Sequence, residues 1–289
     1  MKKIAILGCE NSHADNFLKF IKEKADFADV EVIGVYSDDR TASEKLNEKF
    51  GVAILEDYTD AVGKVDGIVI TARHGDNHYK YAKPYIDGGI PMFIDKPITV
   101  SESEAVEFMQ ALKAKGTRIS GGSSLKLDPT VELLKQEAKS EEGGKTIGGY
   151  VRAPYQSQNA YGNFFFYAQH LVEIVCEIFG RFPISVTAKK NDKQIHVLFH
   201  YTDFDCVGLF CDGNYLYYAS RMATKTTHSL DISLSSDCFY KEFKEFYGLL
   251  EGAKQTISYE EFISPVFIMN AIVRSLESGK EEKLNHFTI

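Results

Sequence analysis

The chain has 289 residues, 44% of them hydrophobic and 26% charged, which is ordinary globular composition and enough for two domains. A formal net charge of -8 with no lysine or arginine cluster argues against a nucleic-acid partner, and no apolar run approaches the ~20 residues that span a bilayer. Five cysteines, Cys9, Cys176, Cys206, Cys211 and Cys238, share no CxxC spacing, so neither a disulfide framework nor a zinc site is expected; the chain reads as soluble and cytoplasmic, with small-molecule ligands.

In chain order, Lys3 to Leu7 forms an apolar run into Gly8, and Phe17, Leu18 and Ile21 then recur at helical spacing. Val30 to Tyr36 reads as the next strand, and Thr41 with Glu44 as a capping box opening a helix to about Phe50. Val52 to Leu55 and Gly67 to Thr71 read as strands. A helix capped by Asp76 or Asn77 follows and stops at Gly88-Gly89. Pro91 to Ile94 is a buried strand, after which Asp95-Lys96-Pro97 turns the chain. Ser101 and Glu104 then cap a helix to about Lys115, and Arg118 to Ser120 is a last strand before Gly121-Gly122. Strands alternating with helices in this way predict a parallel, doubly wound sheet over 1–122, with ligands at the carboxyl ends of its strands.

The second half, 123–289, changes character. Asp128-Pro129 starts a helix, and five strand-like segments, at 184–189, 195–202, 206–211, 215–221 and 230–235, are separated by turn residues. Helices are predicted from about Phe239 to Leu250 and from Glu260 to Leu276. The expectation is an α+β domain for substrate binding and dimerisation, containing a mostly antiparallel open sheet.

The first turn, Gly8-Cys9-Glu10-Asn11-Ser12-His13, keeps only the first glycine of G-x-G-x-x-G. Gly8 can make the tight turn, and Asn11, Ser12 or the helix amino terminus can meet phosphate, but Glu10 and His13 stand at the other glycine positions. An ordinary strand-to-helix turn is the alternative. At the end of the second strand Ser37 and Asp38 occupy the ribose-reading region, Asp38 suited to the ribose hydroxyls and Arg40 to a 2′-phosphate, so NAD and NADP both stay open. A held ammonium such as Lys96 can donate to a substrate oxygen, and desolvation would lower its pKa. His74 and His78 lack a carboxylate to complete a metal set, and no metal is expected.

Thr71-Ala72-Arg73 through His78, then Gly88-Gly89-Ile90-Pro91, then Asp95-Lys96-Pro97 in place of Glu-Lys-Pro, resemble the Gfo/Idh/MocA family of nicotinamide-dependent oxidoreductases over roughly Lys3 to Pro129. The resemblance implies a Rossmann first domain, with Lys96 near the nicotinamide and the substrate hydroxyl, and Thr71, Arg73 and His78 lining the cofactor side. Gly8, Glu10, Asn11, Ser12, His13, Ser37, Asp38, Asp95 and Lys96 complete the expected cofactor contacts. It also implies that His170 is the proton-trading histidine, with Glu173, one helical turn on, orienting it or raising its pKa. Arg152, Tyr155 and Asn159 are expected around the substrate. The function so implied is hydride transfer between NAD or NADP and a secondary hydroxyl or ketone of a sugar, cyclitol or polyol, in a homodimer or homotetramer. The altered glycine turn and His170 segment keep an alternative open, a non-catalytic relative that binds nucleotide or sugar as a sensor or partner subunit.

Overall fold

The computed structural model describes residues 1–289, which divide into two compact units. The first contains Met1–Gly122 and the second begins at Ser123. In the first unit the order is β1 (Lys2–Leu7), α1 (Ser12–Glu23), β2 (Val30–Tyr36), α2 (Arg40–Phe50), β3 (Gly67–Ile70), α3 (Asp76–Ala82), β4 (Met92–Asp95), α4 (Glu102–Ala114) and β5 (Ile119–Gly122). The sheet order is β2-β1-β3-β4-β5 and every pair is parallel. The chain thus winds outward from β1 to β2, then returns to β3 on the other side. That reversal makes a crevice at the carboxyl ends of β1 and β3.

The strand expected at 52–55 is reduced to one bridge, Ile54 against Val35 on the outer edge of β2. Helix α2 also starts one residue before the expected Thr41, because the Asp39 carboxylate accepts from the Thr41 N–H and so is the cap. Ser101 caps α4 as expected, its hydroxyl accepting from the Glu104 N–H.

The second unit runs through α5 (Pro129–Ser140), β6 (Thr146–Tyr155), α6 (Phe164–Phe179), β7 (Ser185–Lys190), β8 (Gln194–His200), β9 (Asp205–Asp212), β10 (Tyr217–Ala223) and β11 (Thr227–Ile232). After α7 (Ser236–Leu250), α8 (Tyr259–Ser278) and the short β12 (Glu282–Lys283) complete it. Its seven strands lie in the order β11-β10-β6-β9-β8-β7-β12, all antiparallel except the central β6–β9 pair. Strand β6 is absent from the sequence reading, since Gly148, Gly149 and Pro154 look like breaks. Pro154 lies past the end of the β10 pairing, which stops at Arg152, while β6 stays in register with β9 and sets Pro154 opposite Cys211. Helix α6 is buried on nearly every side from Ala168 to Phe179, and its Leu171, Val175 and Ile178 share a core with Val151, Ala153 and Phe210 of the sheet.

The division is not a single cut. Phe239–Tyr259 belongs to the first unit. From α7, Phe239, Phe243 and Phe246 enter the apolar cluster of Phe17, Phe27 and Phe93. Each phenylalanine buried there contributes about 1.5 to 3 kcal/mol. The first unit thus combines the parallel sheet with a segment that lies in the second half of the sequence, expected to be part of 123–289.

Candidate functional site

Gly8 leaves β1 with a φ of +73°, and a Cβ there would sit 2.5 Å from the Ala72 backbone. Only glycine fits this turn. Thr71, directly after β3, ties the two strand ends together by donating from its hydroxyl to the Gly8 carbonyl at 3.0 Å. Asn11 caps α1, its side-chain oxygen accepting from the Ser12 N–H at 2.7 Å while its amide donates to Asp95 at 2.7 Å. The Ser12 hydroxyl lies against the same Asn11 oxygen.

Glu10 stretches across the crevice. One carboxylate oxygen accepts from the Ser37 hydroxyl at 2.7 Å and the other from the Arg73 N–H at 3.0 Å. Asp38 accepts from the Tyr36 hydroxyl at 2.6 Å and faces Lys80. Burial works against its charge, yet the Tyr36 and Tyr81 hydroxyls and Lys80 keep its pKa below the ordinary value. Arg40, considered for a 2′-phosphate, is paired with Glu56 at 2.9 Å and Glu44 at 3.6 Å.

Beneath the turn lies a buried cluster of charge. His13 Nδ1 is 3.0 Å from Asp95, and its Nε2 is 3.1 Å from Glu242 of α7. All three side chains are almost wholly inaccessible. Desolvation opposes a charge on His13, but the two carboxylates outweigh it and push its pKa up to about 9. Asp95 also accepts from the Lys96 N–H at 2.6 Å. His13 offsets the burial of Asp95 and holds its pKa below the usual range. Lys96 itself is buried, and desolvation together with the neighbouring Arg73 charge lowers its pKa although Asp95 opposes the change. The Lys96–Pro97 peptide is cis.

Two sequence expectations change here. His13 packs inside the first unit between two carboxylates and so does not line the cofactor side. His78 is fully buried, its ring nitrogens 2.9 Å from the Ala72 carbonyl and 3.2 Å from that of Ile98. Desolvation depresses its pKa, so it is a neutral clip joining the segment after β3 to the segment after Lys96.

In the second unit His170 Nδ1 lies 2.6 Å from the Ser123 hydroxyl. The expected orienting partner, Glu173, instead accepts from the Ser123 N–H and, at 3.2 Å, from the Gln169 amide. Ser123 is thus the shared residue: its hydroxyl meets the imidazole and its amide meets the carboxylate. Desolvation raises the Glu173 pKa, with Lys126 and Arg181 acting against the shift. The ring of Tyr217 stands edge-on to His170 at 5.9 Å.

Of the residues expected to contact substrate, Arg152 donates to the Asn214 side chain at 2.9 Å. Tyr155 is part of the apolar core, because its position in β6 faces α6 and Phe210. Asn159 folds its own loop by accepting from the Tyr161 and Asn163 N–H groups. Tyr155 and Asn159 therefore have structural duties where ligand contacts were expected.

The sequence reading missed Ser123 and Glu242. Glu242 carried a usable signal: it sits in the same helical stripe as Phe239, Phe243 and Phe246, so an apolar face included one carboxylate.

Residues 2–123 match the Gfo/Idh/MocA family model, described as an oxidoreductase family with an NAD-binding Rossmann fold. The matched segment is the one that carries the motifs of the resemblance, from the Gly8 turn to Asp95-Lys96-Pro97. A curated relative, the uncharacterized oxidoreductase YhhX of Escherichia coli (strain K12), is 23% identical over 122 residues, covering 39% of this chain. The match spans about a third, 35%, of that relative's length. Among solved structures, scyllo-inositol dehydrogenase from Lactobacillus casei, with bound NAD(H) and scyllo-inositol, has a TM-score of 0.85 at 14% identity, covering 98% of this chain and 99% of its own. A myo-inositol dehydrogenase from Corynebacterium glutamicum ATCC 13032 has a TM-score of 0.83 at 15% identity, covering 99% and 100%. These similarities establish the fold.

NAD is the cofactor of this Rossmann family. The Gly8 turn and the amino terminus of α1 fit a dinucleotide, since they bring backbone close to its phosphates and add the positive end of a helix dipole. Glu10 is the discordant group, a carboxylate held across the same crevice.

Proposed function

We propose that the chain is an NAD-dependent dehydrogenase acting on a secondary hydroxyl of a cyclitol, sugar or related polyol. The observation carrying this reading is Lys96, a buried lysine of lowered pKa fixed at the carboxyl end of β4 in an NAD-binding fold. The inositol dehydrogenases of like fold support the substrate class. When bound, NAD supplies the hydride acceptor for the oxidation.

Gly8, Asn11 and Ser12 would hold the cofactor at the head of α1, with Ser37, Asp38, Thr71 and Arg73 along the crevice. Lys96 is assigned the donor to the substrate oxygen; as an ammonium on a restrained backbone it stabilises that oxygen as negative charge develops. His170 is assigned the proton acceptor. An imidazole titrates near neutrality, and the hydroxyl of Ser123 fixes its orientation through Nδ1.

Nicotinamide absorbance during incubation with a panel of inositols and sugar alcohols tests the activity. Lys96→Ala and His170→Ala should each lower kcat on the best substrate by ~10²- to 10⁴-fold, as expected for loss of one polarising or proton-transferring group. Unchanged turnover in both variants would remove the catalytic assignment.

One observation favours a second reading, a non-catalytic relative that binds nucleotide or sugar: the carboxylate of Glu10 in the phosphate turn. Saturable stabilisation by NAD(H) in a thermal-shift titration is required of the dehydrogenase and not of a sugar sensor, and reduction of NAD in the polyol panel separates the dehydrogenase from an inactive nucleotide-binding relative.

A further inference from the structure

The second glycine position of a dinucleotide turn is glycine so that backbone can approach the pyrophosphate. Here that position carries Glu10, and its side chain reaches from the β1 turn to the ends of both neighbouring strands. The Ser37 hydroxyl, just past β2, and the Arg73 N–H, just past β3, each donate to a different oxygen of this carboxylate. The crevice donors are therefore satisfied by an anion that belongs to the chain itself. Asp38 stands beside Ser37 and adds a second carboxylate to the same edge.

From this geometry we propose that Glu10 is a built-in competitor for the cofactor seat, and that NAD(H) binds only as this carboxylate releases Ser37 and Arg73. The proposal rests on the NAD-dependent reading above and reverses the role expected of Glu10 from sequence, in which it helps to bind the cofactor. The physical reason is charge. A carboxylate that stays in place opposes the diphosphate electrostatically and keeps two donors engaged, whereas one that swings away exposes both. Glu10 is only partly buried at a turn, so its side chain has somewhere to go. The competitor weakens the loaded state without altering the fold, and it sets a threshold of cofactor concentration below which the crevice stays closed by its own side chain.

The test is isothermal titration of the full chain with NAD⁺ and with NADH, for the natural sequence, Glu10→Gln and Glu10→Gly, together with melting of each protein without ligand. Gln keeps the length of the side chain but loses the charge and one acceptor; Gly removes the side chain. The proposal expects Kd to fall by roughly tenfold to a hundredfold in Glu10→Gln, the range that follows from relieving charge-assisted hydrogen bonds, and at least as far in Glu10→Gly. Equal Kd in all three proteins would overturn the proposal and leave NAD binding intact. Weaker binding in both variants would also overturn it, by making Glu10 a cofactor ligand. A lower melting temperature without any change in Kd would reduce Glu10 to a brace for the turn. Absence of NAD(H) binding in all three proteins would remove the cofactor reading itself, and the proposal with it.

Discussion

The two units each bury a histidine beside a carboxylate, and they manage the charge in opposite ways. In the first, His13 lies between Asp95 and Glu242 and is held protonated, with its pKa raised to about 9 while that of Asp95 is lowered. In the second, Glu173 is served by an amide N–H and a side-chain amide, both neutral, and its pKa rises. The first arrangement is an ionic assembly that depends on every member. The second is a polar one in which the carboxyl group is drawn towards its neutral form, and Ser123 bridges it to the imidazole.

The sharpest way to break this comparison is His13→Asn. It strands two buried carboxylates, and should cost about 3 to 5 kcal/mol of unfolding free energy in urea titration. A loss below about 1 kcal/mol would mean that the cluster is not ionic. Glu242→Gln should cost less, roughly 1 to 3 kcal/mol, because His13 keeps Asp95 as a counter-ion and Gln can still accept a hydrogen bond. Glu173→Gln should be the mildest, within about 1 kcal/mol near neutral pH, since it imitates a form the site already favours.

The pH dependence sharpens the same contrast. The His13 contribution is complete below its ordinary value of 6.5 and is lost as pH climbs through about 9, so the penalty of His13→Asn should shrink across that interval. On the acid side, Asp95 contributes above its ordinary 3.8 and loses its contribution as pH falls through its lowered folded value. For Glu173, a raised carboxyl pKa gives a contribution complete below 4.5 and lost as pH rises. Glu173→Gln should therefore gain on the natural protein with increasing pH, as followed by urea titration at a series of pH values.

Much of the first unit was legible because its signals are local: apolar strands, capping residues, and a glycine turn followed by an amphipathic helix. Lys96 could be placed at a strand end from the apolar run Pro91 to Ile94 and the turn Asp95-Lys96-Pro97 that follows it. Glu242 could not be paired with His13 from the sequence, because their meeting depends on a segment returning from far along the chain. Strand β6 was hidden by glycine and proline signals that its neighbours in the sheet override. Around His170 the structure adds a group that helical spacing does not point to. Helical spacing brings Glu173 onto the same face, yet Ser123, from the segment preceding α5, occupies the hydrogen-bonding position. Periodicity reports which residues share a face but not which group from another segment arrives there first.

The return of Phe239–Tyr259 to the first unit also bears on how the chain matures as it is synthesised. All five strands of the parallel sheet leave the ribosome long before the helix that covers them. During that interval His13 has Asp95 but not Glu242, and Phe17, Phe27 and Phe93 await the phenylalanines of α7. The nascent sheet therefore exposes an apolar, partly charged face until most of the second unit has emerged, a period in which a chaperone would find a binding surface that the finished protein conceals.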